Sequence, residues 1–160
     1  MSRLKQLSVS NFNIEVPSAY IGFVTQAHEL LVENGYKPKF ELKRHGLSAL
    51  YKSPATKGLA LQLIIRDNTL YMYLYNIFLH EHNGYLENLP LSVIDEFAKY
   101  RNCIDSCEPV CTVTRLSYTI GNTLYRKCVV GRLLFTVNKE LAAGVLSVLW
   151  KYNEKQLPTI

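Results

Sequence analysis

No run of roughly 18 uncharged apolar residues occurs anywhere in the chain, so no segment reads as a membrane-spanning helix. The opening residues, MSRLKQLSVSNFN, lack the continuous apolar stretch of a secretory signal. A cytoplasmic address with no membrane partner is the expectation. Nor is there a glycine-rich turn from strand to helix, a P-loop or a G-x-S-x-G elbow, which removes the motif-borne dinucleotide, phosphate-loop and hydrolase chemistries. The pair Asp95-Glu96 falls on the polar side of an amphipathic helical pattern, which already accounts for it. Catalysis therefore has no positive support in the sequence.

Cysteine is also scarce, yet all four fall in one stretch: Cys103, Cys107, Cys111 and Cys128, spaced C-x3-C-x3-C-x16-C. Disulfides are disfavoured in a reducing cytosol, which leaves structural zinc, a redox thiol, or plain buried thiols. Four soft thiolates complete a zinc tetrahedron, and Arg115, Arg126 and Lys127 are candidates to relieve its charge. The short intervals differ both from the x2 of zinc knuckles and from ferredoxin spacings. A redox thiol needs a nearby cation, and Cys128 follows Arg126 and Lys127. Neighbours in a strand point to opposite faces, however, so adjacency in sequence does not by itself bring Lys127 to the Cys128 sulfur.

At 160 residues, 48% of them hydrophobic and 19% charged, the chain has the length and composition of one folded domain with its own core. The periodicity predicts a helix over Ser18 to Asn34, with Ser18 as N-cap and Gly35 at its end. A meander follows: strands from Lys37, over Leu47 to Lys52, Leu59 to Arg66 and Thr69 to Ile77, with turns at Gly46, at Ser53 to Gly58 and at Asp67-Asn68. A second helix fits Leu91 to Arg101, with Leu91, Ile94, Phe97 and Ala98 inward. A hairpin about Gly121-Asn122, a strand over Arg132 to Val137 and a helix from Lys139 capped by Asn138 complete the chain.

Runs of neighbouring strands separated by helices predict an α+β fold with an antiparallel sheet, in the order α-β(3-4)-α-β(3)-α. The same order suggests two tandem α-β-β-β halves, 18–78 and 89–153, within a single domain.

Three further features bear on function. Tyr71, Tyr73 and Tyr75 share one face of a strand, where they can stack bases, line a small-molecule pocket or simply cover a half-exposed sheet. Lys37, Lys39, Lys43, Arg44, Lys52 and Lys57 lie in a stretch whose one acid is Glu41. Such a basic edge attracts phosphates, with Lys39, Lys43 and Arg44 as nucleic-acid candidates, and it also discourages edge-to-edge sheet pairing. His80-Glu81-His82 has no third ligand and no helical i, i+4 spacing, so both histidines are expected in an exposed loop.

The segment from Cys103 to Phe135 carries several cysteines after a helix and then a tyrosine-bearing hairpin ending in Tyr125-Arg126-Lys127-Cys128. In this it resembles a group of small proteins from clostridial and related Gram-positive bacteria. The resemblance implies a bacterial cytosolic α+β domain and brings no activity with it. The functional expectation is a non-enzymatic binding or regulatory module for a small molecule or a nucleic acid, with zinc as the candidate cofactor. A thiol oxidoreductase or redox sensor is the competing class.

Overall fold

The computed structural model describes residues 8–99, 115–128 and 131–156. These form helices α1 (Val9–Glu15), α2 (Ile21–Glu33), α3 (Asn76–Glu81), α4 (Leu91–Lys99) and α5 (Lys139–Gln156). The strands are β1 (Lys37–Lys43), β2 (Gly46–Lys52), β3 (Leu59–Arg66), β4 (Thr69–Tyr75), β5 (Arg115–Ile120), β6 (Thr123–Cys128) and β7 (Arg132–Thr136). The fold is α+β with an antiparallel sheet, ordered β1-β2-β3-β4-β7, while β5 and β6 form a separate two-stranded ribbon.

Register in the sheet follows from its turns. Asp67 and Asn68 both hold positive φ, 49° and 57°, as the tight hairpin turn between β3 and β4 requires. Gly46 closes the β1–β2 hairpin opposite Lys43, at φ +123°. A Cβ at that position would overlap the Ile65 carbonyl oxygen, so the neighbouring strand as well as the dihedral demands glycine.

With register set, alternation sorts the strands into two faces. One carries Phe40, Ala49, Leu63, Met72 and Phe135 in a single cross-strand row, flanked by Tyr51, Leu61 and Leu74 on one side and Ile65 and Leu70 on the other. The helices cover this face. Phe12 of α1 meets Phe40, His28 of α2 meets Tyr51, and Phe97 of α4 meets Phe135, with ring centres 5.8–6.0 Å apart. α2 buries Phe23, Val24, Ala27, Leu30 and Leu31, and α5 packs beside it with Leu141, Val145, Val148 and Leu149. Gly144 lets α5 approach the Asn88–Pro90 segment: a Cβ there would lie 2.9 Å from the Asn88 carbonyl oxygen. Asn138 caps α5 as expected, accepting from Leu141 N at 2.8 Å.

Several elements differ from the sequence reading. The helix expected from Ser18 is a 3-10 turn at Ser18–Tyr20 followed by α2; Tyr20, at φ −117°, interrupts the helical dihedrals, and Ser18 makes no capping bond. The strand expected to reach Ile77 ends at Tyr75. Asn76 leaves the ladder because its amide bonds the Gly131 carbonyl and its side chain the Cys128 carbonyl, and the chain turns into α3. In α4 Val93 and Phe97 are buried and Ile94 packs against the core as expected, whereas Leu91 is 70% exposed and Ala98 faces water. Leu89 and Pro90, at the entrance to α4, are buried.

α1 lies outside the elements that the periodicity predicts. Its signal is local: Ser8 accepts from Asn11 N, and the Asn11 side chain returns a bond to Ser8 N, a capping box around a helix of two turns.

Candidate functional site: the open face of the sheet

The opposite face of the sheet carries Tyr71, Tyr73 and Tyr75 on β4, Ser48 and Leu50 on β2, Gln62 and Ile64 on β3, and Leu134 on β7. None of the helix-to-sheet ring contacts reaches it. Leu134 is 50% exposed and Tyr71 and Tyr73 are half-buried, whereas Ser48, Ile64 and Tyr75 of the same face are buried; on the other face Leu70, Met72 and Leu74 are almost fully buried. The alternation expected for the tyrosine strand is therefore present.

The same register brings the cations here. Lys37, Lys39 and Lys43 on β1, Lys52 on β2, Arg66 on β3 and Arg132 on β7 all project from this face, against one carboxylate, Glu41. Lys39 and Lys43 flank Glu41 at 2.6 and 2.7 Å. Their hydrogen bonds hold its carboxyl below the ordinary glutamate range. Lys37 and Lys52 stand directly opposite each other across β1 and β2, an arrangement that costs stability unless an anion lies between them. Of the sequence candidates, Lys39 and Lys43 thus share a face with the tyrosines. Arg44 sits one residue further on, in the β1–β2 turn.

Arg132 carries no obvious signal in the sequence, being one cation among many. In the fold it lies 4.2 Å from the Tyr73 ring centre and 5.7 Å from that of Tyr75, and its Nη1 donates to Tyr75 Oη at 2.9 Å. Tyr75 Oη in turn donates to Gln62 Oε1 at 3.1 Å. That bond to Tyr75 strengthens the hold of the guanidinium on its proton. A guanidinium has five N–H donors, so one bond leaves a stacked, pre-oriented group with donors to spare. Such a group suits a phosphate.

No protein family, curated protein or solved structure matches the chain.

The cysteine quartet divides. Cys128 ends β6, half-buried, opposite Arg115. Its carbonyl accepts from Asn76 Nδ2 at 2.9 Å and from Gly131 N at 3.0 Å. Lys127, its neighbour, is buried and lies over the Tyr125 ring at 5.4 Å, on the other side of the ribbon. Cys103, Cys107 and Cys111 lie outside the described residues, and the zinc, redox and buried-thiol readings all turn on them. Among the described residues no group of three or more His, Cys, Asp and Glu side chains is arranged to hold a metal. No helix among them is long and apolar enough to cross a membrane.

The two histidines do not share an exposed loop. His80 lies on α3 and bonds the Ser117 carbonyl at 2.6 Å, tying the ribbon to that helix. His82 is fully buried among Phe78, Tyr36 and Tyr152. Its Nδ1 donates to the Phe78 carbonyl at 2.7 Å, and Nε2 has no hydrogen-bond partner. Burial lowers its pKa to about 4, keeping the ring neutral near pH 7. His82 follows Phe78 by four residues, and that helical spacing is the signal that a strand-and-loop reading of this segment passes over.

Proposed function

We propose that the protein is a non-enzymatic binding module that takes single-stranded nucleic acid on the open face of its sheet. The observation that carries this reading is that Tyr71 and Tyr73, both partly exposed, share one face of the sheet with a field of cations, and that no described helix makes a ring contact with that face. Tyrosine rings offer stacking surfaces that accept any base, and a cationic surround follows the phosphates without reading sequence. Arg132 joins the two, since it lies over the Tyr73 ring and its one bond to Tyr75 leaves further guanidinium donors for a phosphate. The opposed pair Lys37 and Lys52 gains what it lacks when a phosphate lies between the two ammonium groups. A duplex fits this face less well, because its bases are not available to the rings.

The test is fluorescence anisotropy with a labelled oligothymidylate over a range of salt. Binding should weaken with a slope of about −0.7 in log K against log salt for each phosphate neutralised. Tyr71→Ala and Tyr73→Ala should each cost about 1–3 kcal/mol, or roughly 5- to 150-fold in Kd. Absence of binding at low salt overturns the reading. So does binding that duplex DNA matches and the tyrosine substitutions leave unchanged.

A further inference from the structure

Where the β1–β2 and β3–β4 turns approach the end of α1, the surface opens into a cleft of about 750 Å³, within the size range of small-molecule sites. Its apolar lining is Ile14 of α1 with Leu42, Leu47 and Ile65 from the helix-covered side of the sheet. Ile14 and Leu42 are 78% and 74% exposed, so two large aliphatic side chains stand in water on the walls of one concavity. Concave exposed apolar surface of this kind marks a ligand contact.

The polar lining includes Lys43, Arg44 and Arg66. Lys43 contacts Glu41 at 2.7 Å and Arg66 contacts Asp67 at 3.6 Å, whereas Arg44 has no carboxylate partner among the described residues. Glu15 and Asp67 are the acids of the lining, and Asn11 and Asn68 contribute amides. The cleft thus combines an apolar wall for a flat ring, an uncommitted guanidinium for a phosphate, and carboxylates and amides able to meet the polar edge of a base. Lys43 and Arg66 belong both to this lining and to the last row of the open face, so the two surfaces are continuous.

The geometry points to a nucleotide site in this cleft, one that takes a terminal phosphorylated nucleotide with its base against Ile14 and Leu42 and its phosphate on Arg44 and Lys43. In that form it rests on the nucleic-acid reading of the open face and gives the bound strand an end. The same chemistry would serve a free nucleoside monophosphate, and the test separates the two sources.

Internally labelled oligothymidylates with a 5′-phosphate, with a 3′-phosphate, or with hydroxyls at both ends are compared by anisotropy, and thymidine monophosphate is titrated calorimetrically. A phosphate at one end should tighten binding by about tenfold, the scale of a charge-assisted hydrogen-bond set. That ratio should fall to one in Arg44→Ser and in Leu42→Asp, both exposed positions whose exchange leaves the core intact. Tyr73→Ala should weaken every oligomer while preserving the ratio. Binding of the free monophosphate to the wild type but not to Arg44→Ser, with no gain from a terminal phosphate, also supports the cleft and identifies the free nucleotide as its source. Monophosphate binding without oligomer binding retains the cleft and removes the face. Equal affinity for all ends, together with no monophosphate binding, overturns the cleft whether or not the face binds.

Discussion

The two faces of the five-stranded sheet are made by alternate residues of the same strands, yet they differ in nearly every physical property. Leu70, Met72 and Leu74 lie under helices and are sealed from water, while Tyr71 and Tyr73, one peptide bond away, are half-buried on the face that also carries the cations, with Arg132 against Tyr73. The strand residues of the covered face carry no charge; those of the open face carry cations from all strands but β4. Because the side-chain period is two, register decides which chemistry goes to which side. Slipping β1 by one residue would send Lys39 and Lys43 inward and Phe40 out to solvent.

The sharpest test of this division is a pair of adjacent substitutions. Met72→Ala removes a fully buried side chain and should cost about 2–5 kcal/mol in urea denaturation, leaving oligonucleotide affinity unchanged at temperatures where the variant is folded. Tyr73→Ala should shift the balance the other way, costing less stability than Met72→Ala, about 1–2 kcal/mol from its partial burial and its Arg132 contact, and most of the binding. Equal stability losses from the two would break the distinction between the faces.

Titration sharpens it further. On the covered side the buried group is His82, whose pKa falls from an ordinary 6.5 to about 4 on folding. The unfolded chain binds the proton more readily, so the stability contribution is complete above pH 6.5 and is lost as the pH drops toward 4. Between pH 7 and pH 5 this should amount to about 2 kcal/mol in denaturation midpoints converted through a common m-value. In His82→Phe that pH dependence should disappear; its persistence would assign the effect to another group.

On the open face the titrating group is Glu41, depressed by its two lysines. Its contribution is present above the ordinary glutamate pKa and fades as the pH falls through the lowered folded value, a window below that of His82. Glu41→Gln should change stability by no more than a few tenths of a kcal/mol, the usual worth of an exposed ion pair. The same substitution removes the one acid among the cations and should tighten oligonucleotide binding. A large stability loss from Glu41→Gln would mean that β1 depends on this clamp as a core strand depends on packing.

Much of this division was legible from residue order. Alternation from Leu70 to Tyr75, the Asp67-Asn68 turn and the lysine-rich β1 all translate directly into the sheet, because hairpins are local and their turns dictate register. What joined the lysines to the tyrosines was the pairing of four consecutive strands, which no single segment contains. The position of β7 was less accessible still: it pairs with β4 across the whole stretch between Tyr75 and Arg132, and the contact of Arg132 with Tyr73 exists only through that pairing. α3 was hidden because Ile77, Phe78 and Leu79 prolong the apolar character of β4, and what ends the strand is Asn76 reaching the distant Cys128 and Gly131 carbonyls. Of the cysteines, Cys128 alone falls within the described residues, at the end of the ribbon that Asn76 ties to the sheet.

The pairing of β4 with β7 also has a consequence for how the molecule assembles. Strands β1 to β4 are joined by short turns and can form early, because closing a short loop costs little chain entropy; β7 must wait until the chain beyond Tyr75 has found its course and returned. Arg132 arrives with that last strand. The stacking of Arg132 on Tyr73 therefore exists only once the contact of greatest sequence separation in the sheet has been made.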